Sequence, residues 1–284
     1  MFTLNMRGHL KVFERPAVMG ILNVNDDSFH AASRVPTVED CVSKAAIMAE
    51  EGADILDVGG QSTRPGSRRI DAGEEASRVL PVISELARRF PGLPLSVDTY
   101  HAEVAMSAVK AGATMVNDVS AGAMDPSMIA VVAGLGVPFI CMHMQGRPET
   151  MQDAPLYSDV VAEVYDHLAA RLDVCRRAGI RDVLIDPGFG FGKTMEHNFS
   201  ILRNLAVFRS LGAPLMVGLS RKSMVWRSLG TGPDEALNGT TVLHAFALSQ
   251  GADILRVHDV REAVEAVRLH GLTYGDRSDF ETVR

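Results

Sequence analysis

The chain has 284 residues, of which 46% are hydrophobic and 22% charged, so it can bury a sizeable core. Its formal net charge of −7 argues against a general nucleic-acid binder, whose surface is usually basic. Residues 1–16 lack the apolar segment of a signal peptide, and the most apolar stretch, 129–142, is too short to span a bilayer. These features predict a soluble cytoplasmic protein without a membrane partner.

The first predicted element is a polar β-hairpin over residues 1–15, which turns near Arg7-Gly8 and is expected to cap one end of the fold. Short apolar runs follow, and each reads as a buried parallel strand rather than an alternating one. They span residues 17–24, 53–60, 93–100, 114–120, 137–144, 182–188, 213–220 and 252–259. Amphipathic helical patterns lie at 38–51, 74–90, 103–110, 160–177 and 242–250. Residues 271–284 have no apolar periodicity and are predicted to be a frayed tail.

A glycine recurs between a helical pattern and the following strand. Such a glycine allows the left-handed conformation that ends a helix and lets the chain enter the sheet. The positions are Gly52, Gly112, Gly136, Gly179, Gly212 and Gly251. Strands alternating with helices can form an open doubly wound sheet, but eight regular units favour a closed (β/α)8 barrel. No low-complexity linker divides the chain, so we expect a single domain over residues 1–284.

Cysteine usage predicts neither disulfides nor a zinc site. Cys41, Cys141 and Cys175 are far apart in sequence, odd in number and without a CxxC pair. We therefore expect buried, reduced thiols.

Polar residues stand at the end of every predicted strand. In a barrel these ends meet at one mouth, where the loops form the active site. Burying unpaired charge is costly, so a complete set of polar strand ends is better explained by a site than by packing. The residues are Asn23, Asp57, Asp98, Asn117 with Asp118, His143, Asp186, Arg221 with Lys222, and Arg256 with His258.

The residue types indicate the class of ligand. Carboxylates such as Asp98 and Asp186 can accept parallel hydrogen bonds from an amino group and a neighbouring ring N–H, which suits a polar heterocycle. The last two strands bring basic residues to the region where barrels often bind phosphate. Asn23 is neutral and suits an oxygen of a metal-linked phosphate. The sequence therefore predicts a heterocycle deep in the pocket and an anion at its mouth.

The glycine-rich segment 188–194 is similar to a nucleotide-binding P-loop, but the GxxxxGK spacing would require glycine at 187, where the chain has Pro187. We interpret it as a loop after the sixth barrel strand, flexible enough to close against a ligand.

An ordered series of motifs across residues 17–260 resembles the dihydropteroate synthase family. The motifs are Met19–Val24 with Asp27–Phe29, Asp57–Gly66, Ser96–Thr99, Val116–Ser120, Met142-His143, Asp186–Lys193, Ser220–Ser223 and Arg256–Asp259. Any one of them is weak evidence, whereas the ordered series is specific. The chain departs from the family pattern in its first loop, 25–34, and at Gln61, where Glu is usual.

The resemblance implies a transferase of folate biosynthesis. Members of the family join 6-hydroxymethyl-7,8-dihydropterin pyrophosphate to p-aminobenzoate and release pyrophosphate with 7,8-dihydropteroate. The resemblance also implies Mg²⁺ as cofactor, a homodimer formed through barrel helices, and inhibition by sulfonamides, which imitate p-aminobenzoate.

Carried over by position, the resemblance divides the site into parts. The residues expected around the pterin ring are Asp98, Asn117, Met142, Asp186 and Lys222. Those expected at the diphosphate and Mg²⁺ are Asn23, as the metal ligand, Thr63, Arg64, Arg256 and His258. Those expected to border p-aminobenzoate are Phe29, Pro65, Phe191, Lys222 and Ser223. The substrate-binding set also contains Asp57 and Gly218. The expected catalytic residues are Asp98, Lys222, Arg256 and His258.

Two other interpretations stay open. A pterin-binding barrel of the methyltetrahydrofolate methyltransferase type would share Asp98, Asn117 and Asp186 but would not need a diphosphate site. A paralogue that binds pterin without catalysis is the other, and the altered first loop is its support.

Overall fold

The computed structural model describes residues 1–24, 37–61, 69–146, 150–152 and 155–275. The chain begins with an antiparallel hairpin of β1 (Phe2–Met6) and β2 (His9–Phe13). Arg7 and Gly8 form its turn with φ angles of 56° and 92°, in the left-handed region that tight hairpin turns require. The predicted hairpin and its turn are confirmed.

Eight parallel strands form the barrel, and their spatial order is β8-β7-β6-β5-β4-β3-β10-β9. They are β3 (Ala17–Asn23), β4 (Ile55–Gly59), β5 (Leu95–Asp98), β6 (Met115–Asp118), β7 (Phe139–Met142), β8 (Val183–Asp186), β9 (Met216–Val217) and β10 (Ile254–Val257). The two outer strands approach each other where Ile185 bridges Leu215 and donates its N–H to the Pro214 carbonyl at 3.0 Å. The predicted (β/α)8 barrel is confirmed.

Helices follow the strands and pack around the sheet. They are α1 (Val38–Glu50), α2 (Ala72–Arg89), α3 (Ala102–Ala111), α4 (Met128–Leu135), α5 (Val160–Arg177), α6 (Met195–Arg203), α7 (Ser223–Leu229), α8 (Leu237–Ser249) and α9 (Val260–Tyr274). All six glycines predicted to end helices have positive φ, from 64° at Gly136 to 127° at Gly112. At Gly112 a Cβ would also lie 2.4 Å from the Ala87 Cβ, so this turn needs glycine for space as well.

The C-terminal prediction is wrong over its first residues. Helix α9 continues to Tyr274, where a frayed tail was expected from residue 271. The added turn is closed by the Gly275 N–H, which donates to the Gly271 carbonyl at 2.6 Å. Extending an existing helix needs little apolar contact, because propagation adds one hydrogen bond for each residue that is fixed. Residues 276–284 lie outside the described part of the chain.

Alternation along the strands divides the apolar core into two layers. Residues such as Leu56 and Val58 face outward and pack beneath the helices. Inward-facing residues form a second cluster with the hairpin: Leu4, Met6, Phe13, Ala17, Met19, Ile55, Met115, Ile140, Leu184, Met216 and Ile254. The hairpin therefore seals the barrel below, and the carboxyl ends of the strands are left for a site.

All three cysteines are free and buried, as predicted. Across the described residues, no helix is long and apolar enough to cross a membrane.

Glu75 of α2 is a fully buried carboxyl group. Its Oε2 accepts a hydrogen bond from the Thr99 hydroxyl at 2.7 Å, whereas Oε1 has no partner among the described residues. Burial raises the pKa of Glu75 to about 8, from an ordinary value of 4.5. The folded state thus holds a proton that the unfolded chain releases. Stability from this group is present below the ordinary pKa and is lost as the pH rises through the folded one.

We expect Glu75→Gln to remove this loss. Between about pH 6 and pH 9 the wild type should lose about 2 kcal/mol more unfolding free energy than the variant, because only the wild type must ionise a buried carboxyl. Urea unfolding of both proteins across this range measures the difference. Other buried acids are present in both proteins and cancel, so parallel profiles would contradict the assignment.

Candidate active site

A polar layer lies directly above the apolar interior of the barrel. Side chains along a strand alternate in direction, so the residue two positions after an inward-facing residue also faces inward. On several strands that residue is polar: Asp57 after Ile55, Asn117 after Met115, Asp186 after Leu184 and Arg256 after Ile254. The two-residue alternation along the strands thus brings charged and amide groups together at the mouth of the barrel.

One cleft brings together seven of the sixteen residues predicted to bind the substrates. Its lining consists of Asn117, Val119, Met142, Asp186, Phe191, Gly218, Lys222 and Arg256. Val119 is the member that sequence reasoning missed, because an apolar residue after a strand carries no chemical signal.

Arg256 joins two acids from neighbouring strands. Its Nε donates to Asp57 Oδ2 at 2.6 Å and its Nη2 donates to Asp98 Oδ2 at 2.6 Å. Asn117 Nδ2 donates to the same Asp57 oxygen at 2.9 Å. Burial acts to lower the pKa of Arg256, but Asp57 and Asp98 raise it above its ordinary value, so the guanidinium stays charged. Asp57 Oδ1 is buried without a hydrogen-bond partner among the described residues, so one acceptor of this network is left unsatisfied.

Lys222 and Asp186 form the second charged group of the cleft. Lys222 Nζ donates to the Phe189 carbonyl and lies 4.5 Å from the centre of the Phe191 ring. Asp186 Oδ1 accepts from the Gly188 N–H at 2.7 Å. Burial lowers the pKa of Lys222 to about 8, against the opposing charge of Asp186. Burial also raises the pKa of Asp186, against the opposing charge of Lys222. A lysine with a pKa near 8 changes its charge within the pH range in which enzymes work.

His258 is held by Ser220, a residue to which sequence reasoning gave no role. Ser220 Oγ accepts from the His258 backbone N–H at 3.1 Å and lies 3.0 Å from His258 Nδ1. Burial and the charge of Arg256 lower the pKa of His258 to about 4, so the imidazole is neutral near pH 7. The signal for Ser220 in the sequence was its place at the start of the Ser220–Ser223 motif and at the end of the predicted strand 213–220.

Three polar strand ends serve the protein rather than the cleft. Asp118 Oδ1 accepts from the Ser120 N–H at 2.7 Å, which fixes the turn after β6. His143 Nδ1 lies 2.9 Å from Lys193 Nζ. Arg221 has a φ of 54° and donates from Nη2 to Asp259 Oδ1 at 2.8 Å. The set of polar strand ends predicted to form a site therefore also contains residues with structural roles, and none of these three is among the residues carried over from the family. Asp118 and His143 each directly follow an inward-facing residue, so strand alternation turns their side chains the other way.

Asn23, the predicted metal ligand, ends β3 beside Gly59 of β4. A Cβ on Gly59 would stand 3.6 Å from Asp98 Oδ2 and 3.8 Å from Asn23 Oδ1, so these two oxygens border one small space. In the described part of the chain, no group of three or more His, Cys, Asp or Glu residues could hold a metal by itself. A cation here would depend on oxygens from a ligand as well.

The remaining predicted residues belong to loops. Ser223 begins the seven-residue helix α7 and is exposed, next to Lys222. Phe29, Thr63, Arg64 and Pro65 lie outside the described residues, as does the altered first loop.

Comparison with known proteins decides the family. Residues 19–258 match the sequence model of a family described as pterin binding enzyme. The dihydropteroate synthase of Escherichia coli (strain K12) is 46% identical over 256 residues, which cover 89% of this chain and 90% of the relative. The chain belongs to the dihydropteroate synthase family. It is therefore a transferase, and the family predicted from the ordered motifs is confirmed.

Solved structures of the family have the same fold. The Yersinia pestis dihydropteroate synthase, in complex with a sulfonamide drug, is 39% identical with a TM-score of 0.92, over 97% of this chain and 100% of that chain. The Xanthomonas albilineans dihydropteroate synthase, with 4-aminobenzoic acid, is 44% identical with a TM-score of 0.90, over 96% and 98%.

The charge of Lys222 should control the affinity for a pterin. As the pH rises through about 8 the ammonium loses its proton, so a ring oxygen that it binds loses a charged donor. We expect the affinity for a dihydropterin to fall about tenfold between roughly pH 7 and pH 9, in step with the protonated fraction. Isothermal titration calorimetry measures it. The Lys222→Met variant should bind the dihydropterin more weakly, and its affinity should not show this fall with pH. Identical pH profiles of affinity in both proteins would refute the assignment.

Proposed function

We propose that this chain condenses 6-hydroxymethyl-7,8-dihydropterin diphosphate with p-aminobenzoate to give 7,8-dihydropteroate and diphosphate. The observation that carries the proposal is the presence of ring-binding groups and cations in one cleft, where Asn117 and Asp186 stand beside Lys222 and Arg256. A barrel that bound only an uncharged pterin would not need both cations. The similarity to family members over nearly the whole chain supports the same reaction.

In the proposed complex the pterin ring lies deep in the cleft. The Asp186 carboxylate accepts from the ring amino group and the adjacent N–H, and Lys222 donates to the ring oxygen. Asn117 sits at the floor, where its amide is already oriented by Asp57. Gly218 lines the same wall, where a side chain would come within 4.0 Å of Lys222 Nζ. The ring is thus recognised by fixed polar groups rather than by shape alone.

The proposed chemistry is substitution at the pterin methylene carbon. The CH₂–O bond breaks, its electron pair leaves with the diphosphate, and the electron-rich dihydropterin ring delocalises the positive charge. Asp98 supplies a nearby negative charge, while Arg256 and the neutral His258 stabilise the charge that grows on the leaving group. The arylamine nitrogen then bonds to the carbon and gives up one proton.

We propose Mg²⁺ as the cofactor, with Asn23 as its protein ligand. Mg²⁺ keeps several waters and is commonly held by one or two protein oxygens together with substrate phosphates, so it does not require a protein cage. The amide oxygen of Asn23, at the end of β3 beside Gly59, fits that donor set, whereas the neighbouring Asp98 Oδ2 is held by Arg256. When bound there, the ion would neutralise charge on the diphosphate.

The arylamine is proposed to bind at the mouth, bordered by Phe191, Lys222 and Ser223. The Phe191 ring already packs against the Lys222 ammonium, which leaves a rigid aromatic wall beside a positive charge. Phe29 and Pro65, outside the described residues, are assigned to this wall by the family resemblance. Sulfonamides, one of which the Yersinia pestis relative holds, are proposed to compete for this position.

We propose a cytoplasmic location for this enzyme. The Cys141 and Cys175 sulfurs lie 3.6 Å apart without a disulfide, and a reducing compartment maintains such thiols.

A turnover assay tests the reaction. Purified protein should release diphosphate from the pterin substrate only when both p-aminobenzoate and Mg²⁺ are supplied, and it should form dihydropteroate in equal amount. Tight pterin binding without turnover would favour a non-catalytic paralogue. Methyl transfer from methyltetrahydrofolate would favour the methyltransferase type.

We propose that the protein is a homodimer through α7 and α8. Leu229, Val242 and Phe246 are apolar but 56%, 47% and 59% exposed. Gly239 of α8 packs against α7, where a Cβ would stand 2.7 Å from Leu229 Cδ1, so the two helices are in close contact and their exposed apolar side chains are proposed to form one strip. A self-complementary strip of this kind suits an isologous contact between two copies.

Phe246→Glu should convert the dimer into monomers, because the contact would bury an unpaired charge. Light scattering coupled to size-exclusion chromatography measures the mass. The matched control is Ile47→Glu on α1, which also changes an exposed apolar residue and should leave the dimer intact. A monomeric wild type, or a dimeric Phe246→Glu variant, would contradict the proposed interface.

A further inference from the structure

A buried lysine lies beneath the glycine-rich loop and takes no part in the chemistry described above. Lys193 is 3% exposed. Its Nζ donates to the Gly188 carbonyl at 2.9 Å and to the Phe191 carbonyl at 3.0 Å, and it lies 2.9 Å from His143 Nδ1. One amine therefore joins both ends of the loop to the end of strand β7.

The contacts of Lys193 show an amino group used mainly as a hydrogen-bond donor. Its N–H groups reach the Gly188 and Phe191 carbonyls at 2.9 Å and 3.0 Å, and Nζ lies 2.9 Å from His143 Nδ1. Burial lowers the pKa of Lys193 well below its ordinary value, and burial also lowers the pKa of His143 to about 2. A neutral amine has both N–H donors and a lone pair, so it can serve the two carbonyls and a neutral imidazole without a carboxylate.

The backbone of the loop fits this arrangement closely. Gly188, Gly190 and Gly192 have φ angles of 69°, 81° and 59°. A Cβ at Gly188 would stand 1.9 Å from the His143 carbonyl oxygen, and one at Gly192 would stand 2.4 Å from that of Gln145. The glycines therefore let the loop lie directly on the end of β7, with the lysine head between them. The segment is a loop after the sixth barrel strand, as predicted, and its closure on a ligand stays a prediction.

Two lysines donate to three carbonyls of the same loop. Lys193 donates to the carbonyls of Gly188 and Phe191, and Lys222 donates from the cleft to the carbonyl of Phe189. The ring of Phe191 then packs against the Lys222 ammonium. Lys193 is thereby connected, through one rigid turn, to both groups proposed to border the arylamine.

We propose that Lys193 is a positioning residue that sets the binding of the arylamine substrate without touching it. Removing its amino group leaves the half-buried Phe191 carbonyl without this donor and leaves the Gly188 carbonyl with the Phe191 N–H alone, so the loop loses its link to the end of β7 and shifts. The Phe191 ring and the Lys222 head shift with it. Asp98 and Asn117 stand on other strands, so among the groups proposed to bind the pterin it is mainly Lys222 that is displaced. Recognition of the pterin ring is therefore weakened less than recognition of the arylamine. The inference rests on the proposed function of the cleft.

Steady-state kinetics on Lys193→Met tests the proposal, because methionine fills a similar volume without donors. KM for p-aminobenzoate should rise about tenfold or more, while KM for the pterin diphosphate rises less than about threefold. Lys193→Gln keeps two N–H donors and should give an intermediate KM, and it decides the question should Lys193→Met not fold. Leu86→Ala on the distant helix α2 is the stability control and should change neither KM.

The outcomes separate this inference from the reaction itself. A wild type that does not consume p-aminobenzoate would overturn the proposed function. A wild type that does, with unchanged KM for p-aminobenzoate in both Lys193 variants, would overturn the positioning role alone. Equal rises in both KM values, as in a generally loosened protein, would overturn it too.

Discussion

The ion pairs of Arg256 with Asp57 and Asp98 are the interaction on which the cleft depends. These groups come from β10, β4 and β5, and each would be costly to bury alone. The guanidinium satisfies two carboxylates at once, and Asn117 of β6 joins the same Asp57 oxygen. The polar floor is therefore a connected network across several strands rather than a set of independent side chains. Because the hairpin seals the opposite end of the barrel, this network can form at one mouth only.

Rigidity on the other side of the cleft has a different origin. There the loop after β8 is fixed by backbone carbonyls that accept from Lys193 and Lys222. Further hydrogen bonds support it from outside: Tyr157 donates its hydroxyl to the Gly192 carbonyl at 2.8 Å, and Gly190 donates its N–H to Asn198 Oδ1 at 2.7 Å. One wall of the cleft is held by charged side chains and the other by a hydrogen-bonded glycine backbone, so neither wall has much freedom to move. A site of this kind binds a planar ring with small reorganisation cost.

The sequence was informative where one physical cause acts alone. Apolar runs of strand length, separated by glycines that end helices, predict the barrel because burial on both faces and left-handed caps leave direct traces in residue type. Helices α4 and α6 left no such trace. Helix α4 is apolar enough to merge with the run of β7, and α6 is a short helix whose pattern covers barely two turns.

Site residues were harder to separate from structural ones. Asn117 and Asp118 are adjacent and equally polar, and only the direction of each side chain assigns one to the cleft and the other to a turn. Counting two positions from Met115 would have made that distinction. The glycine-rich loop shows a further limit. Glycine permits both mobility and left-handed geometry, and the sequence does not reveal the contact between Lys193 and His143, which joins two loops distant in sequence.

The charges of the cleft also bear on how a diphosphate can enter it. Asp57, Asp98 and Asp186 stand against Arg256 and Lys222, so the described groups leave a slight excess of negative charge when all are ionised. Both cations are already engaged, and a diphosphate would bring further negative charge into a poorly solvated space. The proposed Mg²⁺, and Arg64 as the family resemblance assigns it, would add to Arg256 the positive charge that the diphosphate needs. A pterin ring without the diphosphate would not need this added charge, since its donors and acceptors pair with groups that are already in place. Recognition of the ring and of the leaving group would then be separable in this barrel, with the proposed Mg²⁺ serving the second.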